Sequence, residues 1–141
     1  MTPNRHPHLA GALSIALPVA AAHASAAEGE VVEKGITHRP VAAEKLPNVP
    51  GHGLTALVVH LEPGGLSPPH RHPGFVFAYV LSGTVRSRLG DGPAVDYRAG
   101  QGWAEPPGTL HSLTENPSPT EPASLLAVWV NEDGAKLIVP P

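Results

Sequence analysis

Between Leu54 and Glu132 the chain is built from short runs in which apolar residues alternate with polar ones or cluster, each run closed by glycine, proline or asparagine. "GLTALVVHLEPGG" predicts a strand and then a turn. "FVFAYVLSG" predicts a second strand, stopped at Ser82-Gly83, and "TVRSRLGDG" a third, which alternates apolar and charged residues and ends at the hairpin signal "GDGP". "AVDYRAGQGWAEPPG" predicts two short strands around Ala99-Gly100, and "SLLAVWVNEDG" a late one. "AKLIVPP" reads as a last strand or a tail. Short strands with turn signals every ten residues or so predict an all-β sandwich or barrel. The 15 glycines and 18 prolines leave little room for long helices. "ENPSPTEPAS" is a polar, proline-rich loop, and no internal repeat is visible. Residues 27–53 are polar with scattered apolar positions and read as an N-terminal arm that pairs along one sheet edge. Residues 54–141 then form a single barrel domain.

The first 26 residues do not belong to this pattern. Arg5, His6 and His8 lead into the apolar run "LAGALSIALPVAAA", which is followed by Ala22-His23-Ala24 and Ala24-Ser25-Ala26. Both triplets suit signal peptidase, so residues 1–26 are expected to be a signal peptide and the mature protein to be exported, periplasmic or secreted. An uncleaved anchor is the alternative, but the apolar run falls short of the ~20 residues a membrane span needs, and Pro18 interrupts it. Without a twin-arginine pair, the general secretory route is expected. There are no cysteines, so disulfides contribute nothing and any metal must be held by nitrogen and oxygen. A net charge of -3 gives no support for nucleic-acid binding. The mature chain has no Lys/Arg-rich amphipathic helix, so no stable membrane association is expected after signal removal.

The candidate chemistry lies in "PPHRHPGF" and "EPPGTLHS". His70 and His72 share a face if their segment is extended, as Pro68, Pro69 and Pro73 favour. Two imidazoles on one face can chelate one ion, although such a pair also arises by chance. Together with His111 the spacing resembles the paired signatures of the cupin family, small β-barrel proteins. Gly64, five intervening residues, His70-x-His72 and then Gly83 follow the first signature; Gly100, Pro106-x-Gly108 and His111 follow the second. The resemblance covers roughly residues 54–131. It implies a cupin-type double-stranded β-helix, or jelly-roll barrel, with His70, His72 and His111 as metal ligands.

Three positions depart from the family pattern. Val76 stands where many cupins carry a metal-binding glutamate, Gln101 where an aspartate often follows the glycine, and Glu115 where an asparagine closes the second signature, with Asn116 one step later. The implied site is therefore three histidines without the usual carboxylate, with positions open for water or substrate. Alternation puts Val76, Ala78 and Val80 on the ligand face, and Phe75, Phe77, Tyr79 and Leu81 on the other, against a neighbouring layer or subunit. Glu105 shares a strand face with Trp103. It is either a fourth ligand or catalytic general base, or a solvated carboxylate at a strand end. His60 reads as a rim or surface residue, and no role is assigned to His38 or His52.

A histidine-only site suits Fe, Mn, Ni, Cu or Zn as a divalent ion. Cupins with such sites include dioxygenases, isomerases and decarboxylases, so the resemblance implies a small-molecule metalloenzyme, dioxygenase-like in the redox case. The alternative is a non-catalytic module that binds a small ligand or metal. No G-x-S-x-G elbow, phosphate-cradling loop or H-E-x-x-H motif points elsewhere. A homodimer is expected, with "EVVEK" (Glu30 to Lys34) adding as a strand to a partner's open edge.

Overall fold

The computed structural model describes residues 31–141. The expected signal segment, 1–26, and Glu30 of the "EVVEK" stretch lie outside the described residues. Nine strands follow in order: β1 (Lys34–Lys45), β2 (His52–Ser67), β3 (His70–Arg71), β4 (Phe75–Ser82), β5 (Thr84–Leu89), β6 (Val95–Arg98), β7 (Gly102–Glu105), β8 (Leu110–Glu115) and β9 (Ala123–Glu132). No described residue is helical. The strands form one antiparallel sheet in the order β6-β5-β8-β2-β9-β4-β7, with β1 added to β2 and β3 to β8. The Ala99–Gln101 turn joins the two end strands, and its backbone bonds to Val80 and Gly83 draw the edges together. The result is an all-β barrel, as the strand pattern predicts, of the jelly-roll form that the cupin resemblance implies.

Period-two alternation decides which side chains fill it. On β4, Val76, Ala78 and Val80 are buried, while Phe75, Phe77, Tyr79 and Leu81 point outward and are 40–46% exposed. On β9, Leu125, Ala127 and Trp129 point inward against them. Leu61, Val80, Val85 and Ala123 are fully buried and join this core.

Two features differ from the expected pattern. The stretch Pro63-Gly64-Gly65 is no reversal: β2 runs through it to Ser67. Gly64 takes φ +69°, a left-handed conformation that costs glycine little, and the strand bends there instead of turning back. The bend moves β2 from β9, its partner up to Leu61, to β8, its partner at Leu66 and Ser67. The arm also supplies a long strand. β1 lies antiparallel along β2 of its own chain from Lys34 to Lys45, with register shifts near Gly35 and Val41.

A third irregularity shapes the site. The pairing of β5 with β8 shifts between Arg88↔Leu113 and Leu89↔His111, so β8 carries an extra residue there. Strict alternation would put His111 and Thr114 on opposite faces. The bulge turns both inward.

Candidate metal centre

His70 on β3 pairs across to His111 on β8, and His72 follows just beyond β3. All three rings are buried, and one nitrogen from each lies within 4.8 Å of the others. The ring centres of His70 stand 4.8 Å from His72 and 5.0 Å from His111.

The hydrogen bonds behind the rings fix what they present to each other. His70 Nδ1 lies 2.7 Å from Pro68 O, and His72 Nδ1 lies 2.6 Å from Leu137 O. A carbonyl only accepts, so His70 Nδ1 carries its ring's proton and donates it; the shorter of two contacts places the His72 proton on Nδ1 as well, against the indole N–H of Trp129 at 3.0 Å. Each Nε2 then carries a lone pair, and the two Nε2 atoms face one another at 3.1 Å. Two lone pairs in that position repel unless something positive lies between them. Protonating a ring is disfavoured here. Burial lowers the pKa of His70, brings that of His72 down to about 4, and, helped by the neighbouring histidines, brings that of His111 to about 3.

A divalent ion fits this donor set. Two imidazole nitrogens held ~2.0–2.1 Å from one ion stand roughly 2.8–3.4 Å apart for bond angles near 90–110°, and the observed separation is 3.1 Å. A buried oxygen without a hydrogen-bond partner completes the picture. Glu105 is 2% exposed, so its reading as a solvated carboxylate does not hold. Its Oε1 accepts from the indole N–H of Trp103 at 2.9 Å and lies 3.2 Å from His111 Nδ1. Its Oε2 has no partner and sits 3.6 Å from His72 Nε2. Burial raises the Glu105 pKa to about 7 against the smaller opposing effect of Trp103. Since both groups are pushed toward their neutral forms, Glu105 and His111 are not an ion pair among the protein groups alone.

Glu105 also accounts for the missing family glutamate. Val76, at that position, is directly paired with Glu105 across β4 and β7, and both point inward. The carboxylate is therefore present in the site, carried by the adjacent strand.

His111 is held differently from its neighbours. Its Nε2 lies 2.7 Å from Ser87 Oγ and 2.9 Å from Thr114 Oγ1. Ser67, Thr114 and Ser87 form one row of buried hydroxyls across β2, β8 and β5. The sequence reading missed this row. Ser87 had a visible signal, a hydroxyl at the apolar phase of "TVRSRL"; Thr114 had none, because only the bulge brings it in.

The cavity beside the histidines is about 50 Å³, several times the 10–15 Å³ one water requires. Val59, Val76, Ala78, Ala127, Trp103 and Trp129 wall it. Glu33 and His38 of the arm, 3.2 Å apart, also line it, so His38 is closer to the site than its sequence context suggested. His60 does not line it; it is a surface residue beside Glu62, at 3.3 Å. His52 bonds to Pro50 O, away from the site. Asn116 is buried and structural, its amide donating to the carbonyls of Leu61, Glu62 and Glu121.

Comparison with known proteins bears on the fold and the family. The chain is 33% identical over 101 residues to germin-like protein 3-1 of Oryza sativa subsp. japonica, covering 68% of this chain but only 45% of that protein. Among solved structures, the polyketide cyclase RemF from Streptomyces resistomycificus superposes with a TM-score of 0.55 at 22% identity, over 74% of this chain and 75% of that one. A deletion mutant of the Bacillus subtilis oxalate decarboxylase OxdC gives 0.60 at 24% identity, over 80% of this chain and 30% of that one. At these identities the structures share the fold. The Cupin domain family itself matches residues 57–129, more than half of the 141 residues, and the chain belongs to the cupin family.

Proposed function

We propose that this protein binds one divalent metal ion through His70, His72 and His111 and acts on a small oxygen-rich molecule, with Glu105 as the catalytic proton-handling residue. The observation that carries the metal reading is the pair of Nε2 atoms facing each other at 3.1 Å, each with its ring's Nδ1 set against a backbone carbonyl. A bound ion supplies Lewis acidity and open positions for a ligand. The chain's own residues do the rest. Trp103 orients Glu105, whose Oε2 is free to hold or take a proton. The walls of the cavity are largely apolar, and its size suits a small ligand beside the ion. Imidazole donors suit Fe, Mn, Ni, Cu or Zn alike.

Elemental analysis of the full chain as purified, followed by turnover and oxygen uptake with small carboxylates, diketones and phenols, tests this. A stoichiometric metal with turnover supports the enzyme. A filled site without turnover supports the alternative, a ligand-binding module, since one barrel hosts both roles.

Export belongs to the same proposal and rests on residues 1–26 of the sequence. Intact-mass measurement of the natively expressed protein should show cleavage after Ala24 or Ala26; soluble protein that begins at Met1 would rule it out.

The partner proposed is a second copy of the chain. Both phenylalanines of the sequence, with Tyr79 and Leu81, point outward from β4 at 40–46% exposure. They leave roughly 300 Å² of apolar surface, flanked by Leu126, Val128 and Val130 on β9. A standard interface takes ~800 Å² per partner, so the patch suits the centre of one. It holds no charged side chain, so a two-fold copy brings no like charges together. β1 already pairs with its own β2, which favours this face over the arm. Sedimentation should give a dimer, and Phe77→Asp a monomer; a monomeric parent chain would end the proposal.

A further inference from the structure

Residues 135–141 carry a contact that nothing in their sequence announces. After β9 the chain turns, with Ala135 N donating to Glu132 O at 3.1 Å, and runs back to β3. There Arg71 and Val139 exchange both backbone hydrogen bonds at 2.9 Å. Arg71 is the residue between His70 and His72. Between turn and bridge, Leu137 packs on the core and Ile138 lines the cavity. Leu137 O is the acceptor for His72 Nδ1, at 2.6 Å.

His72 Nδ1 has a second neighbour. The indole N–H of Trp129 lies 3.0 Å from it. The two neighbours ask for opposite things. A carbonyl needs a proton on Nδ1, whereas an indole N–H, which only donates, needs a lone pair there. One nitrogen cannot satisfy both. With the tail docked, the shorter contact to the carbonyl prevails, and Nε2 is left as the lone pair facing His70. With the tail undocked, Trp129 alone remains. It favours the other tautomer, with the proton on Nε2, where it blocks a cation. His70 has no such dependence, because its acceptor, Pro68 O, lies two residues earlier on its own segment.

We infer that the strap Lys136–Val139 is a positioning element that selects the metal-binding tautomer of His72 against the opposing pull of Trp129. The inference rests on the metal reading above for its consequence, but the tautomer can be read without any metal. Partners behind a ligating histidine typically change metal affinity by ~10–100-fold.

The test compares the full chain with one ending at Lys136. Long-range ¹H–¹⁵N spectra of the metal-free proteins at neutral pH report the His72 tautomer, and titration with Co(II) reports affinity. The full chain should show the proton on Nδ1. The shortened chain should show it on Nε2 and bind Co(II) roughly 10–100-fold more weakly. Adding Trp129→Phe to the shortened chain removes the opposing donor and should recover part of that loss, which a merely structural role of the tail would not allow. If the shortened chain does not fold, Val139→Pro in the full-length chain removes the donor to Arg71 O and is read by the same two measurements. A folded variant with an undocked tail that keeps the proton on Nδ1 overturns the inference. Tautomer reversal in a protein that binds no metal in either form would instead sink the metal reading and leave this one standing.

Discussion

The two limbs of the site are held by different chemistry. On the β3 limb, His70 and His72 lean on backbone carbonyls, which only accept. On the β8 limb, His111 leans on the hydroxyls of Ser87 and Thr114, which accept or donate, and faces a carboxyl that can do the same. With the tail docked, the first limb is therefore held in one tautomer. In the metal-free protein the second can shift a proton between Glu105, His111 and Ser87 without moving a heavy atom. This difference makes one limb of the site fixed and the other adaptable, and it can be broken at several points.

The largest effect is expected from removing a ligand. His70→Ala, His72→Ala and His111→Ala should each reduce metal content from near-stoichiometric to near background by elemental analysis. Unchanged stoichiometry in all three would dismiss the site. Val76→Glu comes next. Its side chain is inward, 2% exposed and paired with Glu105, so the change sets two carboxyls side by side. Without an ion this should cost several kcal/mol, seen as a clear fall in melting temperature. Excess metal should restore stability and raise affinity, while any turnover falls because an open position is filled. Loss of fold that metal does not reverse would show that the inner face of β4 is not part of the ion's environment.

Glu105→Gln should act more mildly, and through pH. The folded pKa of Glu105 is raised to about 7 from the ordinary 4.5. Its contribution to stability is thus fully present below pH 4.5 and lost as pH rises toward 7. In metal-free protein the glutamine variant escapes that loss and should gain on the parent chain between those values, by roughly 1–3 kcal/mol. The histidines act in the opposite sense. Their lowered values mean the unfolded chain takes up protons first, so both proteins should weaken as pH falls below about 6.5. Denaturant melts from pH 4 to 8 separate the two effects; parallel curves for parent and variant would mean that Glu105 is not held in a neutral form.

The β3 limb was the part most legible in the sequence. Prolines around His70 and His72 announce an extended segment, and alternation fixes the faces of β4 because its inner side is buried. The β8 limb was legible only in His111. Thr114 enters through a bulge, and a single extra residue leaves no mark in a pattern of apolar and polar positions. Glu105 remained ambiguous because its phase with Trp103 was clear but the sidedness of β7 depends on pairing with β4, a long-range fact. The course of β2 through Pro63-Gly64-Gly65 was misread for a related reason. Glycine at positive φ serves bends and reversals equally, and only the partner strands decide which one forms. The carbonyl behind His72, from Leu137, is 65 residues away and has no local signature.

The smallest expected effect discriminates the limbs most finely, because it compares one chemical change at two places. Ser67 and Ser87 are both buried serines at either end of the same hydroxyl row, and each approaches a histidine. Ser67 Oγ lies 3.4 Å from His70 Nδ1, a nitrogen whose proton already goes to Pro68 O at 2.7 Å. Ser87 Oγ lies 2.7 Å from His111 Nε2, where no carbonyl competes. Ser67→Ala should therefore leave metal affinity within about twofold, since His70 keeps its acceptor. Ser87→Ala should weaken it by roughly tenfold and cost about 1 kcal/mol of stability in the metal-free protein, the scale of one hydrogen bond. Thr114 remains at 2.9 Å, so the loss stays partial, and Ser87→Thr, which keeps the hydroxyl, should recover affinity. Equal responses of the two serines would mean that the hydroxyls fill space rather than orient rings, and the distinction between a fixed limb and an adaptable one would fall with it.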